Sequence, residues 1–535
     1  MRLRSPFLAV FAASLLIVFA AALLAGCSAG PDFVRPDKPT TTAYTPEQLA
    51  LQTASAAGPG GAAQSFVSER DIPGEWWTLF QSPTLDRLVR ESLQANPDVD
   101  AAQAALRQAR ENFYAQQGGL FPTLSANGSG QQQLASLASQ GLGSSSTMFG
   151  VTAASLNISY APDVFGGVRR QVESKEATAE FQRFQLEATY LTLTSNVVVA
   201  AVNLASLQAQ IDATNDIIAI LNNSLGVVRR QFDLGGASRA DVLAQEATLT
   251  QTQATLPPLE KQLAQQRNQL MRLVGRSPDQ QRGESFDLAK LKLPEELPLS
   301  LPSSLVEQRP DVRAAEAQLH AASADIGVAV ANQLPQFTIT GLLGLTSGGI
   351  SSILMPGAGV WSIGLGIAQT VFDGAKLDHQ RKAAIAAYEQ AAAQYRGIVL
   401  SAFQDVANAL RAVQSDADTL RAQVAAEQTA AASLHLSETQ YQLGAVNYLI
   451  LLNAQQTYQT ALINRLRAQA ARYTDTAALF QALGGGWWNR TDVDPKSMGK
   501  PGYFALPPVQ DIKLPSAGHR SGGPLTLEFS SRGAR

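Results

Sequence analysis

The stretch VWSIGLGIAQTVF (360–372) alternates. Trp361, Ile363, Leu365 and Ile367 are large and apolar, while Ser362, Gly364, Gly366 and Ala368 between them are small or polar. Successive side chains of a strand point to opposite faces, so this pattern describes a ribbon that meets two different solvents. QFTITGLLGL (336–345) follows the same rule, with Phe337, Ile339, Gly341, Leu343 and Leu345 on one face. Stretches near 123–133 and 149–160 alternate more weakly, and there the pattern leaves room for a bulge.

Outward from these strands the chain repeats itself. PDVDAAQAALRQARENFYAQQGGLFP (97–122) aligns without a gap on PDVRAAEAQLHAASADIGVAVANQLP (310–335). DVFGGVR (163–169) then parallels TVFDGAK (370–376), QFDLGGASRADVLAQ (231–245) parallels QYQLGAVNYLILLNA (440–454), and LMRLVG (270–275) parallels LFQALG (479–484). This is an internal tandem duplication, far longer than the roughly 20–50-residue units of solenoids. Each copy predicts a helix that opens on proline and stops before Pro122 or Pro335, then two strands, then a very long helix.

The long helix is clearest from about 375 to 441, where one glycine and no proline occur. Tyr395, Val399, Ala402 or Phe403, Val406, Leu410, Val413, Ala417, Leu420 and Val424 recur at steps of three and four, the seam of an amphipathic, coiled-coil-like helix. Its counterpart runs from about 167 to 232. At ~1.5 Å per residue each is roughly 100 Å long, more than a globular domain uses. A second helix returns after each Leu-Gly turn, and Pro257-Pro258 is expected to interrupt the first of these.

The N-terminus fixes an address. MRLR, an apolar run over 7–24 broken only by Ser14, and a small-residue site form a secretory signal. LLAGC (23–27) ends in Cys27, the single cysteine, and resembles a bacterial lipobox, which implies a covalent lipid (diacylglyceryl and palmitate) there. Ser28, rather than an aspartate, follows it, which points to the outer membrane. Loss of Arg2 and Arg4 with the signal takes the formal charge from −3 to about −5, and nothing suggests a nucleic-acid partner. No later run reaches ~18 apolar residues, so a membrane crossing would have to use strands.

Four strands in a bilayer leave two edges of unpaired backbone groups, each costing several kcal/mol, so the unit has to close with copies of itself. Two copies give eight strands, three give twelve and four give sixteen. Eight strands leave an interior filled by side chains, whereas larger barrels can enclose water, and the small, polar strand faces suit a water-filled interior better. CSAGPDFVRP (27–36), WWTLFQSPTLDRLVRESLQANPDV (76–99), GAVNYLILLNAQ (444–455) and ALGGGWW (482–488) resemble the TolC-like outer membrane factors, in particular the NodT-type lipoproteins of resistance-nodulation-division (RND) efflux systems. The resemblance implies a mainly α fold with membrane β: a homotrimer with a 12-stranded transmembrane β-barrel, four strands per chain, continuous with a long periplasmic α-helical barrel. It implies a lipid-anchored outer-membrane protein that takes small molecules from a periplasmic adaptor and an inner-membrane RND-type pump. The corresponding divisions are a signal at 1–26, a lipidated and equatorial segment at 27–96, a first repeat at 97–275, an equatorial linker at 276–309, a second repeat at 310–484, and a tail at 485–535 rich in Pro, Gly and Ser and expected to be disordered.

Both Leu-Gly turns lie a helix length away from the strands. The resemblance makes them the periplasmic tip, with Phe232, Leu234, Gly235, Tyr441, Leu443 and Gly444 as an adaptor-docking rim; ordinary helix C-caps at Gly235 and Gly444 are compatible with that role. It also implies a gate formed by Leu449, Ile450, Asn453 and Asp241. Where the family commonly carries a gate carboxylate this chain has Asn453, and Ile450 stands where some relatives have a second, so the expected closure is steric. A hydrogen bond between Asp241 and Tyr441 is a further expectation.

Catalysis and cofactors find no support: there is no P-loop, no H-E-x-x-H, no cysteine cluster, and His320, His379, His435 and His519 lack partners at metal-ligand spacing. Asp98/Asp100 and Asp416/Asp418 are expected on solvated helix faces. The competing readings are a same-fold duct for protein secretion or metal cations, and a lipid-anchored periplasmic coiled-coil scaffold that does not conduct.

Overall fold

A computed structural model describes residues 28–490, except 42, 48, 49, 69 and 137–145. Cys27 and the tail from 491 lie outside the described residues. After β1 (Ser65–Ser68) and α1 (Pro83–Ala95), the chain runs α2 (Pro97–Gly118), β2 (Thr123–Ser136), β3 (Ser146–Tyr160), α3 (Gly167–Asp233), α4 (Arg239–Ala254) and α5 (Leu256–Leu273). The order then recurs: β4 (Glu296–Leu299) and α6 (Pro302–Gln308) lead to α7 (Pro310–Ala331), β5 (Gln336–Ser347), β6 (Gly359–Ala368), α8 (Lys376–Gln442) and α9 (Tyr448–Ala482).

The four long strands form one antiparallel sheet in the order β2-β3-β5-β6, with β2 and β6 as edges that have no strand partner among the described residues. The register places Trp361 beside Leu343 and Leu343 beside Leu156, and Ile363 beside Gly341 and Gly341 beside Ile158, all on one face. Ser362, Thr340, Asn157 and Ser159 occupy the other. Trp361, Ile363 and Leu365 are more than 70% exposed, so this apolar face has no protein cover in the single chain. The bulge left open for the first-half pair is absent: β2 and β3 pair without interruption from Thr123–Ser159 to Ser136–Ser146. Their alternation is weak because Gly150, Thr152 and Ala154 fall on the apolar face, while Phe149 and Val151 fall on the other. Pairing of β3 with β5 begins only at Thr152–Ser347, so the first hairpin overhangs its neighbour.

Both α3 and α8 are 67 residues long, which makes each roughly 100 Å. Each is started by an aspartate. Asp163 accepts from the Val168 and Arg169 backbone N–H groups (both 2.9 Å), and Asp373 from those of Lys376 (3.1 Å) and Leu377 (2.9 Å). These bonds satisfy donors that a helix start leaves orphaned. The expected interruption falls at Thr255, with Pro257 and Pro258 in the first turn of α5, where proline is tolerated. The equivalent α9 is one unbroken helix of 35 residues.

An equatorial belt wraps the helices midway. Trp76 and Phe480 stack at 5.3 Å, and Phe80, Leu88, Leu270 and Tyr473 are buried around them. β1 and β4 pair in parallel and join the N-terminal segment to the inter-repeat linker. Arg472 of α9 is fully buried and donates to Gly60 O (2.8 Å), Ala62 O (2.7 Å) and Thr53 Oγ1 (3.0 Å). The Tyr473 hydroxyl donates to Leu291 O at 2.7 Å. In the GGGWW segment, Gly484, Gly485 and Gly486 all have positive φ, and a Cβ on Gly485 would lie 2.3 Å from Leu191 Cδ1. Only glycine allows the chain to turn there and set the Trp487 indole edge-on against Phe184 of α3 at 5.7 Å.

Candidate functional site

The two ends of the long helices are built alike. After α3, Gly235 N–H donates to Phe232 O and Gly236 N–H to Gln231 O; after α8, Gly444 N–H donates to Tyr441 O and Ala445 N–H to Gln440 O. Gly235 (φ 78°) and Gly444 (φ 70°) take the left-handed conformation that such a cap requires. Each return helix then opens on a capping side chain. Ser238 Oγ accepts from Asp241 N–H, and Asn447 Oδ1 from Ile450 N–H. Two capped hairpins thus stand side by side, with Leu234 (87% exposed), Leu443 (78%) and Phe232 projecting from them.

A shared apolar core ties the hairpins together: Leu221, Leu225 and Val228 of α3, Val242 of α4, and Tyr448, Leu451 and Leu452 of α9. Inside it Tyr448 donates its hydroxyl to Gln245 Oε1, and Gln245 Nε2 donates to Leu221 O (2.9 Å). Tyr441 stacks edge-on against Tyr448 at 5.3 Å. Burial, followed by the charge of Asp241, pushes the Tyr441 phenol up; Tyr448 is raised by burial too, so both stay protonated donors.

The expected Asp241–Tyr441 bond is not formed. Tyr441 donates to Gln231 Oε1 at 2.7 Å, and the Asp241 carboxylate turns back to the Ser238 N–H (2.8 Å) and hydroxyl (2.7 Å). The reciprocal cap with Ser238 satisfies Asp241 locally, with no chain crossing needed. Leu449, Ile450 and Asn453 lie on the exposed side of α9, opposite buried Leu451, Leu452 and Gln455. Tyr448, Gln245 and Gln231 were missed as tip residues. The buried phase 448, 451, 452, 455 was the available signal.

Further along the helices, two open grooves of about 710 and 580 Å³ meet at Gln210, Gln262 and Arg467. Their walls are mostly Gln, Thr, Asn and Ser, and the break at Thr255 lines one of them. On α9, Arg467, Ala471 and Thr474 sit about 140–200° around the helix from Gln469, which donates to Leu288 O of the belt. The grooves therefore open on the face turned away from the belt. Among the described residues no three His, Cys, Asp or Glu side chains converge to hold a metal.

Asp98, Asp100 and Asp418 are exposed, as expected, but Asp416 is only partly so: its Oδ2 atom is buried without a hydrogen-bond partner among the described residues. A two-residue step turns a helix by about 200°, so Asp416 and Asp418 cannot share a face.

At the foot of the sheet the first described residues are held in a cradle. Ala29 N–H donates to Phe165 O (2.9 Å), buried Arg170 pairs with Asp32 (2.6 Å) and Glu173 (2.7 Å), and Phe33 stacks on His320 at 4.3 Å. Burial opposes ionisation of Glu173, but the bonds from Arg170 and His320 outweigh it and hold the carboxyl below its ordinary range.

The outer membrane efflux protein family model matches residues 88–276 and again 301–485. The cation efflux system protein CusC of Escherichia coli O6:H1 is 30% identical over 88% of this chain and 98% of its own length. The toluene efflux pump outer membrane protein TtgC of Pseudomonas putida is 28% identical over 88% and 94%. The solved outer-membrane channel OprN superposes with a TM-score of 0.78 at 28% identity, covering 86% of this chain and all of OprN.

Proposed function

Because the chain belongs to the outer membrane efflux protein family, we propose that it is the outer-membrane exit duct of a tripartite efflux system, a passive channel and not an enzyme. The observation that carries this reading is the sheet. One face is apolar and uncovered, the other mostly small and polar, both edges lack a strand partner among the described residues, and helices of roughly 100 Å continue from its foot. Such a sheet is tenable in lipid only as part of a closed barrel, and the polar face suits a water-filled bore. Three copies closing a 12-stranded barrel, with their helices forming a periplasmic tube, satisfy both demands.

The grooves support passive conduction, since walls made mostly of amides and hydroxyls, with Arg467 as the single charged lining residue, offer no strong site to trap cargo. We read the cargo as small molecules or ions delivered by an inner-membrane RND-type pump through a periplasmic adaptor. The exposed Phe232, Leu234 and Leu443 on rigidly capped hairpins suit docking of that adaptor. The lipid is assigned to Cys27: Ser28 is packed on Gly166 at the foot of the sheet, where a chain attached to the preceding residue reaches the same leaflet.

The test is extraction of the mature protein from outer membranes in mild detergent, followed by native mass, shape and bilayer conductance. An elongated trimer with pore activity supports the duct; a monomer or dimer without it favours the non-conducting scaffold. Metabolic labelling with palmitate, lost in Cys27→Ala, tests the anchor.

A further inference from the structure

The two open grooves meet at a place where the repeats differ. The match of 231–245 with 440–454 and of 270–275 with 479–484 keeps one constant offset, so Arg467 of α9 is the counterpart of Pro258 of α5. At that level the break at Thr255 opens the wall, and unbroken α9 sets a guanidinium beside the opening. Gln210, only 4% exposed, is fixed from below: its Nε2 donates to Ser206 O (3.3 Å) and Ser206 Oγ (3.1 Å). Its Oε1 is thereby presented to the groove and accepts from Arg467 Nε at 3.0 Å.

Nothing neutralises this guanidinium. Among the described residues Arg467 pairs with no carboxylate, whereas Arg465 on the same helix pairs with Glu427 at 2.7 Å and Arg472 is engaged by belt carbonyls. No residue lining either groove is Asp or Glu. Asp475, next to the lining Thr474, borders a separate groove with Arg309 and Asp405. With Nε held by Gln210, both terminal nitrogens of Arg467 are left without a protein partner among the described residues. The side-chain amides of Gln251, Gln262 and Gln456 are likewise free.

We propose that Arg467 is an oxyanion-binding residue in the wall of the duct, and that it favours cargo carrying a carboxylate, sulfonate or phosphate at one end. This rests on the duct reading above. The terminal nitrogens of a guanidinium form a planar fork that matches two oxygens of such a group, and Gln210 sets the orientation of that fork beforehand. The free amides beside it take hydrogen bonds from the body of the molecule, and about 710 Å³ holds one of drug size. A single water-exposed charge binds weakly, so it biases passage without arresting it. In a narrow tube the same charge, repeated in each copy, concentrates anions and repels cations at this level.

The test uses the full-length protein with Arg467→Gln and Arg467→Lys. Reversal potentials are measured in bilayers under a potassium chloride gradient. Binding of naphthalenesulfonate to the detergent-solubilised protein is followed by its fluorescence anisotropy, with inorganic sulfate and uncharged naphthol as competitors. Arg467→Gln should lower the chloride-to-potassium permeability ratio by about twofold or more, less at high salt, and should abolish sulfonate binding. Arg467→Lys should keep the permeability ratio but weaken sulfonate binding, because an ammonium retains the charge and loses the fork. Competition by sulfate supports recognition of the oxyanion; competition by naphthol alone means that the ring is bound instead and overturns the proposal. A conducting protein in which either readout is the same in Arg467→Gln also overturns it. A protein that binds the sulfonate through Arg467 but conducts nothing refutes the duct reading and leaves the oxyanion site standing.

Discussion

Gly30 and Gly327 meet backbone to backbone: a Cβ on Gly30 would lie 2.4 Å from the Gly327 Cα, and one on Gly327 would lie 2.7 Å from Ala29 O. The N-terminal segment therefore reaches the C-terminal part of α7 because neither residue has a side chain. Gly327→Ala should favour the isolated helix by about 1 kcal/mol, yet release the segment, since its backbone has nowhere to retreat. Limited proteolysis should cut residues 28–40 faster in the variant while the helical core keeps its protection.

Arg472 holds the belt to α9 through two carbonyls and a hydroxyl. Arg472→Met removes the donor to the Gly60 and Ala62 carbonyls, while Thr53 Oγ1 keeps its bond from the Gln64 N–H (2.9 Å), and should cost about 1–3 kcal/mol. Arg472→Lys should recover part of it, because an ammonium keeps the charge but loses the planar fork. Thermal unfolding of the three proteins orders them.

Tyr448→Phe removes the donor to Gln245 inside the tip core and should destabilise the hairpin pair by about 1–2 kcal/mol. Tyr441→Phe, at a half-exposed site, should cost less. If the paired hairpins hold the duct closed, open probability in bilayers rises in the same order.

Asn453→Asp places a carboxylate on the exposed side of α9. In a closed assembly the copies raise one another's pKa and attract cations, so reversal potentials should shift toward cation selectivity, more strongly as pH rises. An unchanged potential would place Asn453 away from the constriction.

The two faces of the sheet can be distinguished by charge. Ile363→Arg, on the uncovered apolar face, should cost about 2–4 kcal/mol near mid-membrane, whereas Ser362→Arg on the other face should fold and alter conductance. Folding into lipid vesicles, followed by gel shift on heating, separates the two.

The sheet and the long helices were legible because their periods are uninterrupted. Trp361 to Ile367 alternates without exception, and Tyr395 to Val424 keeps its steps of three and four. Local chemistry was legible where a motif was complete, as with the glycine caps at Gly235 and Gly444. Where two motifs competed the reading went astray: Ser238-x-x-Asp241 is a capping box, and that claim on the carboxylate excludes Tyr441. Asp416 could have been suspected, because Asp416 and Asp418 point about 200° apart. Arg472 could not, since its partners lie some 410 residues away in sequence and come together only when the belt closes.

The overhang of β3 also bears on what the cell shows to its surroundings. Residues 146–151 extend beyond the first pairing with β5, about 20 Å of strand at ~3.4 Å per residue. In a closed ring of such units the outer rim is crenellated, a tall hairpin from each first repeat alternating with a short one from each second. An antibody or phage fibre arriving from outside meets the tall hairpins first. Sequence drift there can change recognition while the bore, fixed by the lower halves of the strands, stays as it is.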